Sequence, residues 1–146
     1  MVAYSFITAF VADVEARTKR QTIRPLRKRH ARPGERIQLF TGMRTKHCRK
    51  IIPDPICIGV DEVRFDLREA SASPAELPDT VGLFVNGIPL VFSDADEYAR
   101  QDGFKGLPGV SDRQGLFPFA HMALWWVRVH GRVLFEGVAI RWEDRP

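Results

Sequence analysis

The stretch Lys19-Arg20-Gln21-Thr22-Ile23-Arg24 holds the residue types from which this chain could build a reactive or anion-binding site. In an extended segment side chains repeat every two residues, so Thr22 and Arg24 point to one face. Lys19 stands where a predicted helix gives way to that segment. Its cationic neighbours Arg17, Arg20 and Arg24 disfavour a further positive charge and push its pKa down. A lysine held partly neutral can take a hydroxyl proton, and Thr22 is the hydroxyl within reach, which makes a nucleophile-and-base pair. The same spacing also serves a surface that simply coats an anion, since perturbed lysines occur in plain phosphate sites too. Taken alone, these residues leave both chemistries open.

The charge around them is uneven. The 146 residues carry a net charge of +4, yet thirteen of the 22 basic residues lie between Arg17 and Lys50, beside one acid, Glu35. Thirteen bases against one acid give that segment +12, and nine bases against seventeen acids give the remainder −8. Such segregation points to an electropositive face for a polyanion. The alternative is a strip that neutralises itself on the acidic remainder, but surface ion pairs stabilise little. Nine of the thirteen are arginines, whose planar forks suit phosphate. About six phosphate contacts on a single strand would give a log-log salt slope near −4. Aromatic interleaving is poor, with Phe40 alone in the segment, so the strip speaks for backbone contact and against base stacking.

The elements that must position these residues follow from periodicity and turn chemistry. Strands are predicted over 2–7 and 36–41, the second started by Pro33-Gly34, and a helix over 9–18. In the next strand Ile56, Ile58 and Val60 face one way and Val63, Phe65 and Leu67 the other, a parity switch that predicts a bulge at Asp61-Glu62. A second switch, from Val133 and Phe135 to Val138, Ile140 and Trp142, predicts another at Glu136-Gly137. Asn86-Gly87 marks a hairpin tip over 82–92, and Pro89 places its strand at an edge. Ser93 to Asp96 is predicted to cap a helix running to 101. A further helix is expected over 118–130, with Pro118 in its first turn, Gly131 as its stop and Leu116 at the head of its apolar face. Residues 71–78 are predicted to form a loop. Two long strands bent by bulges favour an α+β fold built on a small curved β-barrel with flanking helices, as a single domain over residues 1–146.

The pattern Lys-x-x-Thr-Ile-Arg (Lys19, Thr22, Ile23, Arg24), followed by Gly34-Glu35 before a strand and later by Asp102-Gly103-Phe104, resembles the ASCH domain. The closing residues Phe135, Gly137, Ile140 and Trp142 are similar to those of phage-encoded members. The resemblance implies a PUA-like barrel whose cleft beside the motif binds RNA or a nucleoside. One branch, the acetylcytidine amidohydrolases, uses a lysine, a threonine and a glutamate there, and those roles would fall on Lys19, Thr22 and Asp102. Three departures favour binding over hydrolysis: Arg17 replaces a customary glycine, Asp102 is one methylene shorter than the expected acid, a reach that matters to rate, and the basic insert from Arg27 to Arg32 is absent from the compact hydrolases. Arg20, Arg24, Arg27, Lys28, Arg29 and Arg44 are then expected to meet phosphates.

Three functions are consistent with this: RNA or nucleotide binding, hydrolysis of an acylated cytidine or of RNA, and interaction with an acidic protein. The 45% apolar content excludes a disordered chain. The longest apolar run, Met122 to Val127, is far short of the roughly 20 residues of a membrane span. The first twelve residues lack a basic leader and a small-x-small cleavage site, and Cys48 and Cys57 form no Cys-x-x-Cys, which points to a cytoplasmic home. Both cysteines are expected to be buried apolar residues, with His121 and His130 structural, and no cofactor or metal is expected. Gly103-Phe104-Lys105-Gly106 matches a GXXG loop without the elements of a KH domain around it. Of the adjacent Trp125 and Trp126, one is expected in the core and one at a cleft or contact surface.

Overall fold

Runs of alternating apolar residues pair into two sheets, and the helices are set on and between them. The computed structural model describes residues 1–70, 81–105 and 117–144. In chain order the elements are β1 (Val2–Phe6), α1 (Thr8–Glu15), β2 (Gln21–Pro25), β3 (Ile37–Thr41), β4 (Arg49–Lys50), β5 (Ile56–Asp66), β6 (Gly82–Val85), β7 (Ile88–Leu90), α2 (Phe92–Gln101), α3 (Pro118–His130) and β8 (Leu134–Glu143). The predicted loop over 71–78, Gly106 and Leu116 lie outside the described residues.

A three-stranded sheet runs β1-β3-β4, with β1 and β3 parallel, and a five-stranded sheet runs β2-β8-β5-β6-β7. The class is α+β, as expected, but the described strands form no closed barrel. Among the described residues one isolated backbone bridge, Arg36 to Ile56, joins the two sheets.

The parity switches have another cause than the two bulges expected. The molecule has two cores, and β5 and β8 pass between them. The first, under β1, β3 and α1, takes Cys57, Val138, Ile140 and Trp142 together with Tyr4, Phe6, Val11, Val14, Ile37 and Leu39. The second, under α2 and α3, takes Val63, Phe65, Leu67 and Ala139 with Ala99, Met122, Ala123 and Trp126. A strand that serves one core at one end and another at its other end buries opposite faces, which mimics a bulge in the sequence. The register shift in β5 falls between Cys57 and Gly59, leaving Ile58 exposed, and none falls at Asp61-Glu62 or at Glu136-Gly137.

The hairpin is as expected, with Asn86 and Gly87 both at positive φ and β7, carrying Pro89, at the sheet edge. Helix α3 starts on Pro118 and stops at Gly131 (φ 84°). Helix α1 ends at Glu15, earlier than predicted, because Arg17 turns to φ 62° and both Thr18 and Lys19 donate their N–H to the Asp13 carbonyl. Helix α2 begins at Phe92, so Val91 is its N-cap and no side chain caps it, contrary to the expected role of Ser93 to Asp96.

Gly137 on β8 faces Pro25 on β2, and a Cβ there would land on the Arg24 carbonyl oxygen and 2.7 Å from the Phe135 ring. Gly137→Ala should therefore cost about 1–3 kcal/mol, read as a lower urea midpoint at unchanged m value. An unchanged midpoint would show that β2 and β8 can part there without loss.

Candidate functional site

The approach of the chain to β2 decides where its reactive residues lie. After the Arg17 turn, Arg20 donates its N–H to the Gln101 carbonyl at 2.8 Å and accepts from the Trp142 N–H at 3.0 Å. The end of α2 and the end of β8 thus grip the residue on one side of Lys19. Lys19 itself is only 3% exposed. Its Nζ donates to the backbone carbonyl of Asp102, the C-cap of α2, and stands 3.5 Å from Asp102 Oδ1. The amine therefore satisfies a helix-end carbonyl that α2 cannot pair for itself. Gly103 follows at φ 98°, and a Cβ there would meet the Lys19 Cδ at 3.1 Å. Asp102-Gly103 is in this way both a carboxylate and a clearance for the lysine stem.

These groups open onto a cavity of about 550 Å³. Its polar lining comes from Lys19, Thr22, Arg24, Asp102 and Ser5, and its aromatic walls from Phe6, Phe10, Phe104, Trp125, Trp126, His130 and Phe135. Lys19 Nζ lies 4.6 Å from the Phe10 ring centroid, and the Arg24 guanidinium carbon 5.0 Å from that of Phe6, both within cation–π range. Trp126 is buried, as one tryptophan was expected to be, and the half-buried Trp125 joins it in the wall.

The expected Lys19–Thr22 pair is replaced by a Thr22–Arg24 pair. Arg24 Nε donates to the Thr22 hydroxyl oxygen at 3.0 Å, as their shared face requires, and its Nη2 donates to the Ser5 carbonyl at 2.6 Å. Strands β1 and β2 do not pair with each other, so this guanidinium spans the seam between the sheets.

Burial dominates the electrostatics. It pushes the Lys19 pKa down, opposed by Asp102 and aided to a smaller extent by Arg24. The like-charge cause expected from Arg17 and Arg20 does not apply, because Arg17 pairs with Asp144 at 2.7 Å and Arg20 is exposed. Burial likewise raises Asp102 to about 6, with Lys19 acting against it. Asp102 Oδ1 and Gln21 Oε1 are both buried without a hydrogen-bond partner among the described residues. Gln21 is fully buried, and its amide donates to the Tyr98 carbonyl at 3.3 Å. Gln21 gave no signal in sequence, since an inward residue of a strand end looks like any polar strand residue.

Of the six residues expected to meet phosphates, Arg24 alone lines the cavity. Arg27 lies over the Tyr4 ring at 4.7 Å and donates to the Arg29 carbonyl at 2.9 Å. His30 fixes this loop. Its Nε2 meets the Pro25 carbonyl at 2.9 Å and so must carry the proton, leaving Nδ1 to accept from the Tyr4 hydroxyl at 3.0 Å. Arg29 is paired with Glu35. Arg20, Lys28 and Arg44 are exposed and have no carboxylate partner among the described residues, and Arg44 stands in the 42–48 loop, away from the cavity lining. Cys57 is buried as expected, but Cys48 is exposed because its loop projects from the sheet. Among the described residues no three His, Cys, Asp or Glu side chains gather as a metal site would require.

Comparison with protein-family models, curated proteins and solved structures finds no match. The site must be argued from its own geometry.

Lys19→Met would strand a buried carboxylate, for which losses of about 3–5 kcal/mol are typical. Adding Asp102→Asn removes that charge and should recover part of the loss, seen as a positive coupling in a double-mutant denaturation cycle. Strictly additive losses would show that the pair is not coupled.

Proposed function

We propose that this chain is an ASCH-like protein whose cavity binds a nucleoside or nucleotide, free or within RNA. The carrying observation is the convergence of Lys19, Thr22, Arg24 and Asp102 on a cavity walled by seven aromatic rings. Flat apolar walls suit a base, and a few convergent polar groups suit its edge and its sugar-phosphate. The Lys-x-x-Thr-x-Arg motif supplies, on this reading, polar groups of the cavity. On this reading the two sheets, bridged at Arg36–Ile56 and tied across the seam by Arg24, are an opened form of the PUA-like barrel. The two unpaired cysteines accord with a reducing, cytoplasmic setting.

The second reading, an amidohydrolase of acylated cytidine, draws on the two buried groups whose pKa values are pushed toward neutrality, a pattern frequent at catalytic sites. Its difficulty is that the Thr22 hydroxyl is bonded to Arg24 and the lysine amine to a carbonyl. Acetate release from N4-acetylcytidine, abolished in Lys19→Ala, would establish hydrolysis; no release would leave binding.

Two measurements test the binding reading. Protonation of Asp102 below about pH 6 leaves Lys19 and Arg24 uncompensated, so affinity for a nucleoside monophosphate should rise as pH falls through 6. Asp102→Asn should remove that part of the pH dependence, leaving whatever His130 in the wall contributes. A wild-type pH profile matching that of Asp102→Asn would count against the assignment. Lys28→Glu with Arg32→Glu should weaken RNA binding and flatten the salt slope by about 0.7 per lost phosphate contact, whereas an unaltered slope would remove this loop from the interface.

A further inference from the structure

The outer face of the three-stranded sheet continues from the cavity rim. Ser5, which lines the cavity, stands opposite Phe40 on β3, and Phe40 stands opposite Lys50 on β4. Neighbouring strands are roughly 4.8 Å apart, so the ring lies one strand from the rim and the lysine two. The alternate residues Tyr4, Phe6, Ile37 and Leu39 are in the first core, which puts Ser5, Phe40 and Lys50 on the opposite, outer side. Phe40 is half-buried there, with Lys50 Nζ 5.9 Å from its centroid and held by Asp54 at 2.7 Å.

The loop that follows β3 leaves from Thr41, whose partner in β1 is the cavity residue Phe6. This loop presents exposed Arg44 and Lys46, neither with a carboxylate partner among the described residues. It is internally braced: the Thr45 hydroxyl donates to the Gly42 carbonyl at 2.6 Å and accepts the His47 N–H at 3.1 Å. Arg44 holds φ 66°, a region that costs a non-glycine residue free energy.

An aromatic ring on an open sheet face, flanked by cations and contiguous with a base-sized cavity, is a stacking platform. Resting on the nucleotide reading of the cavity, we propose that the ligand is a single strand of RNA. One base enters the cavity, its neighbour stacks on Phe40, and Arg44 and Lys46 follow the phosphates. An acidic peptide would engage the same cations but leave the ring without a flat partner.

The test compares a nucleoside monophosphate mixture, mixed-sequence single-stranded RNA pentamers and a poly-glutamate peptide, with intrinsic tryptophan fluorescence as readout. The pentamer should bind at least about tenfold more tightly than the monophosphate. Phe40→Leu, which keeps an apolar side chain but removes the ring, should lose roughly ten- to hundredfold in pentamer affinity and leave the monophosphate unchanged. Thermal unfolding of the variant checks that it is folded, and Arg44→Gln with Lys46→Gln should reproduce the ligand-selective loss without touching the ring. Equal wild-type affinity for monophosphate and pentamer, or a Phe40→Leu loss shared by both, overturns the second subsite and leaves the cavity reading standing. Poly-glutamate binding as tightly as the pentamer overturns it in favour of an acidic protein. A wild-type protein that binds neither nucleotide ligand overturns the cavity reading as well.

Discussion

A buried ammonium holds the functional end of this molecule together. Lys19 leaves the turn after α1, lies along Gly103, and closes the last carbonyl of α2 with its Nζ, while Asp102 sits 3.5 Å away as its counter-charge. Two segments distant in sequence meet at that one side chain. Burying two charges carries a desolvation penalty that an apolar pair of similar volume would avoid, so stability alone does not account for an ion pair here. The placement of a cation and a titratable acid in a cavity wall does account for it.

Arg24 bears the second constraint. Two of its N–H groups are committed, one to Thr22 and one to Ser5, and these bonds hold the β1–β2 seam at the width the cavity needs. A guanidinium has five donors in a fixed plane, so those left over stand rigidly at the cavity wall. A phosphate arriving there would find its partner already ordered, which lowers the entropic cost of binding. The arginine is therefore structural and available to a ligand at once, and the two roles do not compete for the same hydrogens. Arg27 differs: its ring stacking on Tyr4 and its bond to the Arg29 carbonyl order the following loop and place it outside the cavity.

What was legible in the sequence was local. Pro118 and Gly131 bound α3 and Asn86-Gly87 fixes the hairpin, because a missing N–H or a positive φ is a property of one residue. The bulges were misread because an alternating pattern reports which face of a strand is covered, and β5 and β8 change faces between two cores. Barrel closure rests on those bulges in the sequence, and the described strands form two sheets without closing. In the site, Lys19, Thr22, Arg24 and Asp102 are identifiable through a short motif and a cleft tryptophan through the Trp125-Trp126 pair, whereas Phe10 and Gln21 reach it from α1 and β2 without any spacing that announces it. The cause of the lysine shift was misjudged for the same reason: neighbouring charges can be counted in a sequence, but burial cannot.

On the proposed reading the resting arrangement suits binding before catalysis. For Lys19 to take a proton from Thr22, its amine would have to leave the Asp102 carbonyl, and Thr22 would have to exchange the guanidinium for the amine. The first move strands a buried helix-end carbonyl, at about 1–3 kcal/mol, and the second leaves a buried Arg24 donor unmet. A ligand that supplied an acceptor to Arg24 and another to the α2 end would remove both penalties, so any chemistry here depends on what is bound first. A base with its sugar and phosphate carries donors and acceptors on one rigid frame, and the surrounding rings need a flat partner. The polar floor and the aromatic walls thus impose the same requirement on the ligand, from opposite sides of the cavity.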